Sequence, residues 1–95
     1  MDEWRIEIDA IDDALLRLLN ERAVCAVEIG RLKRAQDLEI YSPVREAEVL
    51  RRVTEGNGGP LAGEAVKRLF ERIIDESRSI ERTVGEDEGT KERQV

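Results

Sequence analysis

An all-α fold is what this sequence predicts, and three observations carry the prediction. Its 95 residues are rich in Leu, Ile, Val, Ala, Glu and Arg, with aromatics at 3% and charged residues at 40%, the balance of long helices rather than of sheets. Apolar residues recur at heptad spacing from Trp4 through Ile8, Ile11, Leu15 and Leu18 and resume at Cys25, Ile29 and Leu32, the signature of one long helix. Two breaks, "AQDLEIYSP" and "GNGGP", then divide the remainder into two further segments. The outcome is three helices, long, short and medium.

The first helix is expected over residues 3–36. At about 1.5 Å per residue it is about 50 Å long, against a diameter of about 26 Å for a compact chain of this length. A lone chain cannot cover such a rod, so the three helices are expected to intertwine with a second copy as a helical homodimer. Ser42 and Pro43 open the second helix, residues 43–55, as N-cap and first helical residue, with Val44, Ala47, Val49, Leu50 and Val53 available for packing. The third is expected over residues 61–84, with Leu61, Ala65, Leu69, Ile73 and Ile80 on one track and Val66, Phe70 and Ile74 beside it. Residues 1–84 thus form the domain. The segment after it, 85–95, holds one apolar residue and is expected to be a disordered tail.

Composition also excludes function classes. A net charge of −6 argues against nucleic acid, whose binders carry a basic face, so a bound anion requires a local basic pocket. The single cysteine, Cys25, and the absence of histidine leave no disulfide framework, no zinc spacing and no imidazole chemistry; Cys25 is expected to be a small buried residue. No apolar run approaches the about 18 residues of a membrane span, and the acidic start MDEWRIEID has no signal-peptide core. A soluble, cytoplasmic chain without metal or cofactor is expected.

Polar residues interrupt this pattern at informative places. Arg22 occupies a seam position between Leu18 and Cys25 where the heptad asks for an apolar side chain; such a charge either fixes register or binds a ligand. Lys33 lies eleven residues on, offset by about 20° and about 16 Å along the axis. Two cations therefore face one groove, spaced for a small anion with a negative group near each end, although a lysine near a helix C-terminus also suits the helix dipole. Ser77 and Glu81 share a face of the third helix, and Glu81 has the alternative of pairing with Arg78 or with Lys and Arg residues elsewhere. Arg5 points about 100° away from Arg22 and reaches the same groove only from the helix of a partner subunit. In "YSPVRE", Arg45 takes the position where a capping box places Glu or Gln, and Glu46 arrives one residue late.

Four segments together, "RIEIDAIDDALLRLLNER" from Arg5, "IGRLK" ending at Lys33, "YSPVRE" and "LFERIIDES" ending at Ser77, resemble the all-α chorismate mutases of the AroQ type over about residues 4–82. The resemblance implies three helices per chain interlocked as a dimer, and a cofactor-independent [3,3] rearrangement of chorismate to prephenate in phenylalanine and tyrosine biosynthesis. It implies that Arg22, with Arg5 of the partner subunit, binds substrate carboxylates, that Lys33 touches a carboxylate and the ether oxygen, and that Glu46 accepts the hydrogen bond of the ring hydroxyl. Arg45 then supports the carboxylate side, while Ser77 and Glu81 complete the site, Glu81 facing the ether oxygen. Two positions depart from the usual pattern. Ser42 stands where Asp is frequent, and Glu81 where many members carry Gln; a glutamate donates a hydrogen bond only when protonated. Isochorismate-pyruvate lyases of the same fold, and a non-catalytic helical dimerisation module, are the alternatives. Association with another shikimate-pathway enzyme is left open.

Overall fold

The computed structural model describes residues 1–94 along the backbone and residues 1–84 with their side chains. Three helices follow in order: α1 Asp2–Ala35, α2 Pro43–Glu55 and α3 Gly63–Gln94. The expectation of a disordered tail over 85–95 falls outside the fully described residues. No helix among the described residues is long and apolar enough to cross a membrane.

Local chemistry sets the ends of α1. Asp2 and Glu3 occupy its first turn and Lys33 and Arg34 its last, matching charge to the helix dipole at both termini. It closes in a Schellman motif: the Leu38 N–H donates to the Lys33 carbonyl at 2.7 Å and the Asp37 N–H to the Arg34 carbonyl at 3.2 Å, with Asp37 in the left-handed region at φ 55. Glycine is the usual residue there, and Asp tolerates the conformation better than most. At α2 the Ser42 hydroxyl accepts from the Arg45 N–H at 3.4 Å, with Pro43 in the first turn.

Helix α3 begins two residues later than expected. Leu61 belongs to the preceding turn, where its carbonyl accepts from the Asn57 side-chain amide at 2.7 Å, and its own side chain stays exposed. It therefore contributes nothing to the α3 track. On that track Leu69 is exposed too, whereas Val66 and Ile74 beside it are buried.

Helix α3 packs against both α1 and α2, whereas α1 and α2 do not pack against each other among the described residues. A cleft between α1 and α2, floored by α3, is the direct result. On α1 the buried residues are Ala26 and Gly30, one position beyond the heptad track. Gly30 is required there: a Cβ on it would lie 2.9 Å from the Glu81 Cα, so only glycine lets the two backbones approach. The heptad residues themselves stay open, with Trp4 73%, Ile8 54% and Leu18 51% exposed. Cys25, expected to be buried, is exposed, because the buried positions of α1 are the neighbouring Ala26 and Gly30.

Candidate functional site

The cleft holds about 340 Å³ and is lined by residues of all three helices and of the loop after α1. That volume lies at the small end of the about 300–1,000 Å³ usual for small-molecule sites. Ala26, Ile29, Val49 and Ile74 give it apolar walls, and Arg22, Lys33, Arg45 and Arg78 bring four cations to it, with Glu46 and Glu81 as the carboxylates. An anion entering this space exchanges water for fixed positive charge beside low-dielectric walls, the condition under which charge-assisted hydrogen bonds are strongest.

Arg22, Lys33, Arg78, Glu46 and Glu81 are each held by a partner on another element. Arg22 donates from Nη1 to the Ser77 hydroxyl, which in turn donates to the Ile73 carbonyl at 3.0 Å. One turn further along α3, Glu81 presents Oε1 at 3.1 Å from Lys33 Nζ, and the same ammonium donates to the Ile40 carbonyl at 2.7 Å. The Schellman turn that ends α1 is what brings Ile40 back over Lys33, so backbone geometry aims this ammonium. The side chains of Lys33 and Glu81 are only 20% and 11% exposed, and the pairing leaves neither charge uncompensated.

The alternative pairing of Glu81 with Arg78 is not the one adopted. Arg78 instead grips Glu46 on α2 with both prongs of its guanidinium, Nε to Oε2 at 3.1 Å and Nη2 to Oε1 at 2.6 Å. It also lies 5.0 Å above the ring of Tyr41 and 3.5 Å from Asp75 Oδ1. The hydrogen bond to Glu46 holds the Arg78 guanidinium above its ordinary value; desolvation opposes this, and the charges of Glu46 and Asp75 add to it, with a smaller contribution from Tyr41.

Of the residues singled out from the sequence, Arg22, Lys33, Ser42, Arg45, Glu46, Ser77 and Glu81 all line this one cleft. Arg45 does so at its edge, exposed and paired with Glu48 at 3.4 Å. Arg5 is exposed near the start of α1, seventeen residues and so about 25 Å from Arg22 along the helix, and does not line the cleft. Sequence reasoning missed Arg78, Tyr41 and the Ile40 carbonyl as parts of the site. Arg78 offered one signal, a position between Ser77 and Glu81, but three-residue spacing from Glu81 suggested a partner on its own helix.

Comparison with known proteins bears on family and fold. A family model described as chorismate mutase type II matches residues 4–82. The bifunctional chorismate mutase/prephenate dehydratase of Neisseria gonorrhoeae is 49% identical over 78 residues, covering 82% of this chain and 21% of that protein; that of Stutzerimonas stutzeri is 40% identical over 82 residues, covering 81% and 22%. The chain therefore spans about one fifth of the length of these curated relatives. Among solved structures, form II of the chorismate mutase of Thermus thermophilus matches with a TM-score of 0.84 at 38% identity, over 85% of this chain and 92% of that one. The chorismate mutase of Helicobacter pylori, solved in complex with prephenate, matches with a TM-score of 0.80 at 32% identity, over 87% and 90%. Sequence, fold and relatives thus converge: the chain belongs to the chorismate mutase type II family.

Proposed function

We propose that this chain is an isomerase that rearranges chorismate to prephenate. The observation that carries the reading is the placement of Arg22 and Lys33 along one wall of the cleft, opposite Ser77 and Glu81 and above an apolar floor. The reaction is unimolecular; it moves no proton and forms no covalent intermediate. Catalysis then consists of holding a flexible dicarboxylate in its reactive shape and stabilising the charge that develops as the carbon–oxygen bond breaks.

The side chains divide these tasks. Arg22, and Arg5 of the partner subunit, bind the carboxylates, and Lys33 bridges a carboxylate and the ether oxygen. Glu46 accepts the hydrogen bond of the ring hydroxyl, Arg45 supports the carboxylate side from the cleft edge, and Ser42 fixes the start of α2 that presents both. Ser77 orients Arg22. Glu81, when protonated, adds a donor beside Lys33 at the ether oxygen, where negative charge accumulates.

The site is complete only in a homodimer, because Arg5 lies far from the cleft of its own chain. The open apolar track of α1 supports that assembly, as does a radius of gyration of 16.8 Å against about 12 Å for a compact chain of this length. Relatives named as bifunctional chorismate mutase/prephenate dehydratases support association of this chain with a prephenate-consuming enzyme, in the cytoplasm where such biosynthesis runs.

The test is loss of chorismate ultraviolet absorbance on adding the purified protein, with prephenate identified as the product. Isochorismate is assayed beside it. Prephenate from chorismate is the expected result; pyruvate release from isochorismate with no prephenate from chorismate overturns the reading.

A further inference from the structure

Arg78 is the one cation of the cleft to which no role has been given, and its surroundings are specific. It joins three separately positioned pieces of chain: α3, which carries it; the start of α2, through both oxygens of Glu46 at 3.1 and 2.6 Å; and the loop after α1, through the ring of Tyr41 at 5.0 Å. The side chains of Arg78 and Glu46 are each 24% exposed, so the bridge sits at the cleft wall rather than on the outer surface.

Resting on the function proposed above, we infer that Arg78 is a positioning residue which fixes the carboxylate of Glu46 for the hydroxyl of the substrate ring. Three physical points carry it. A carboxylate at the N-terminal turn of a helix has several rotamers open to it; a two-pronged guanidinium selects one, because both oxygens must meet the planar fork together. Each carboxylate oxygen has further acceptor capacity after taking one N–H, so the grip leaves Glu46 able to accept a hydroxyl. Arg78 itself is held from three sides, by Tyr41 beneath and by Asp75 at 3.5 Å besides Glu46, which keeps the fork from following Glu46 if that side chain swings. Lysine keeps the charge and lacks the fork. The geometry therefore separates orientation from simple charge balance.

The experiment is steady-state turnover of chorismate by the full chain as parent, Arg78→Gln, Arg78→Lys, Glu46→Gln and the Glu46→Gln/Arg78→Gln double variant, with thermal unfolding of each. Arg78→Gln is expected to lower kcat/KM by about tenfold or more, and Arg78→Lys to recover only part of that loss. In the Glu46→Gln background, Arg78→Gln is expected to cost less than about twofold, since the group it orients is already gone. A tie that only joins α2 to α3 also couples the two residues, and predicts instead that the loss of turnover follows the loss of melting temperature and that Arg78→Lys, which keeps the charge, recovers both together. That pattern, or Arg78→Gln within about twofold of the parent, overturns the inference. If Arg78→Gln does not fold, Arg78→Lys alone and with Glu46→Gln makes the same comparison. A parent that leaves chorismate unchanged overturns the proposed function itself, an outcome distinct from an active parent indifferent to Arg78.

Discussion

Residues 2–20 of α1 and residues 22–35 share one apolar rhythm, yet only the second stretch contains buried residues. Every residue from Asp2 to Asn20 is exposed except Ala14, which is half-buried, whereas Ala26 and Gly30 are covered by α3. The same helix therefore serves two surfaces. In its first half the heptad track is complete and stays exposed among the described residues, which is the condition for a coiled-coil contact with another chain. In its second half the track is interrupted by Arg22, the packing shifts by one position onto small residues, and the cations at 22 and 33 meet polar partners on α3. The difference teaches that a continuous pattern can present two surfaces: an open apolar track where it is intact, and a polar-lined cleft where it is broken.

That contrast is open to experiment from either half. The largest effect is expected from Ile11→Glu with Leu15→Glu in the assembly half: charges replace two apolar side chains of a type for which burial stabilises by about 1.5–3 kcal/mol each. Sedimentation should show the parent at twice 10.8 kDa and the variant without that species, with loss of activity, since Arg5 no longer reaches a partner's cleft. A parent that sediments as a monomer with full activity would break the comparison.

In the site half, Arg22→Ala should lower kcat/KM by about a hundredfold, equivalent to about 2.7 kcal/mol, while leaving unfolding nearly unchanged. Lys33→Ala should lose activity to a similar degree and also lose stability, because Glu81 is left nearly buried without its counter-charge. Removing one member of a fully buried pair costs about 3–5 kcal/mol, and a smaller penalty is expected where the lysine is partly wet. Thermal unfolding beside turnover separates the two variants, and near-parental turnover of Arg22→Ala would remove that residue from the site.

Gly30→Ala comes next in size. Its Cβ would meet Glu81 Cα at 2.9 Å and the Glu81 carbonyl oxygen at 3.0 Å, both backbone atoms that retreat only if α3 moves. A loss of about 1–3 kcal/mol is expected, read as a lower melting temperature, together with weaker turnover as the Lys33–Glu81 pair is pushed apart. The smallest change is Glu81→Gln, which keeps shape and supplies a permanent donor. Turnover of Glu81→Gln should stay within about threefold of the parent, whereas Glu81→Leu, similar in size and without a donor, should lose activity; parental turnover in Glu81→Leu would take Glu81 away from the ether oxygen.

Much of the fold was legible because local rules act over a few residues. Heptad spacing marked α1, Ser42 and Pro43 marked the start of α2, and the GNGGP break separated α2 from α3. Seven of the eight residues named from the sequence line one cleft: Arg22 stood out as a costly charge at an apolar helix position, Lys33 by its spacing from Arg22, and the resemblance of their segments to a known family pointed to the rest. Leu61 misled, since apolarity alone does not say whether a residue opens a helix or closes a turn. Cys25 misled as well, because a heptad position is buried only when a partner helix covers it.

By itself, the sequence determined the three helices and the cations placed against the apolar grain, all through interactions between residues near in the chain. Only the tertiary structure decided who pairs with whom. Glu81 took Lys33, and Arg78 took Glu46 from 32 residues away, because α3 crosses both α1 and α2 while those two stay apart. A pairing of that kind depends on the angle and depth at which helices meet, and at Gly30 that depth rests on the absence of a single carbon atom.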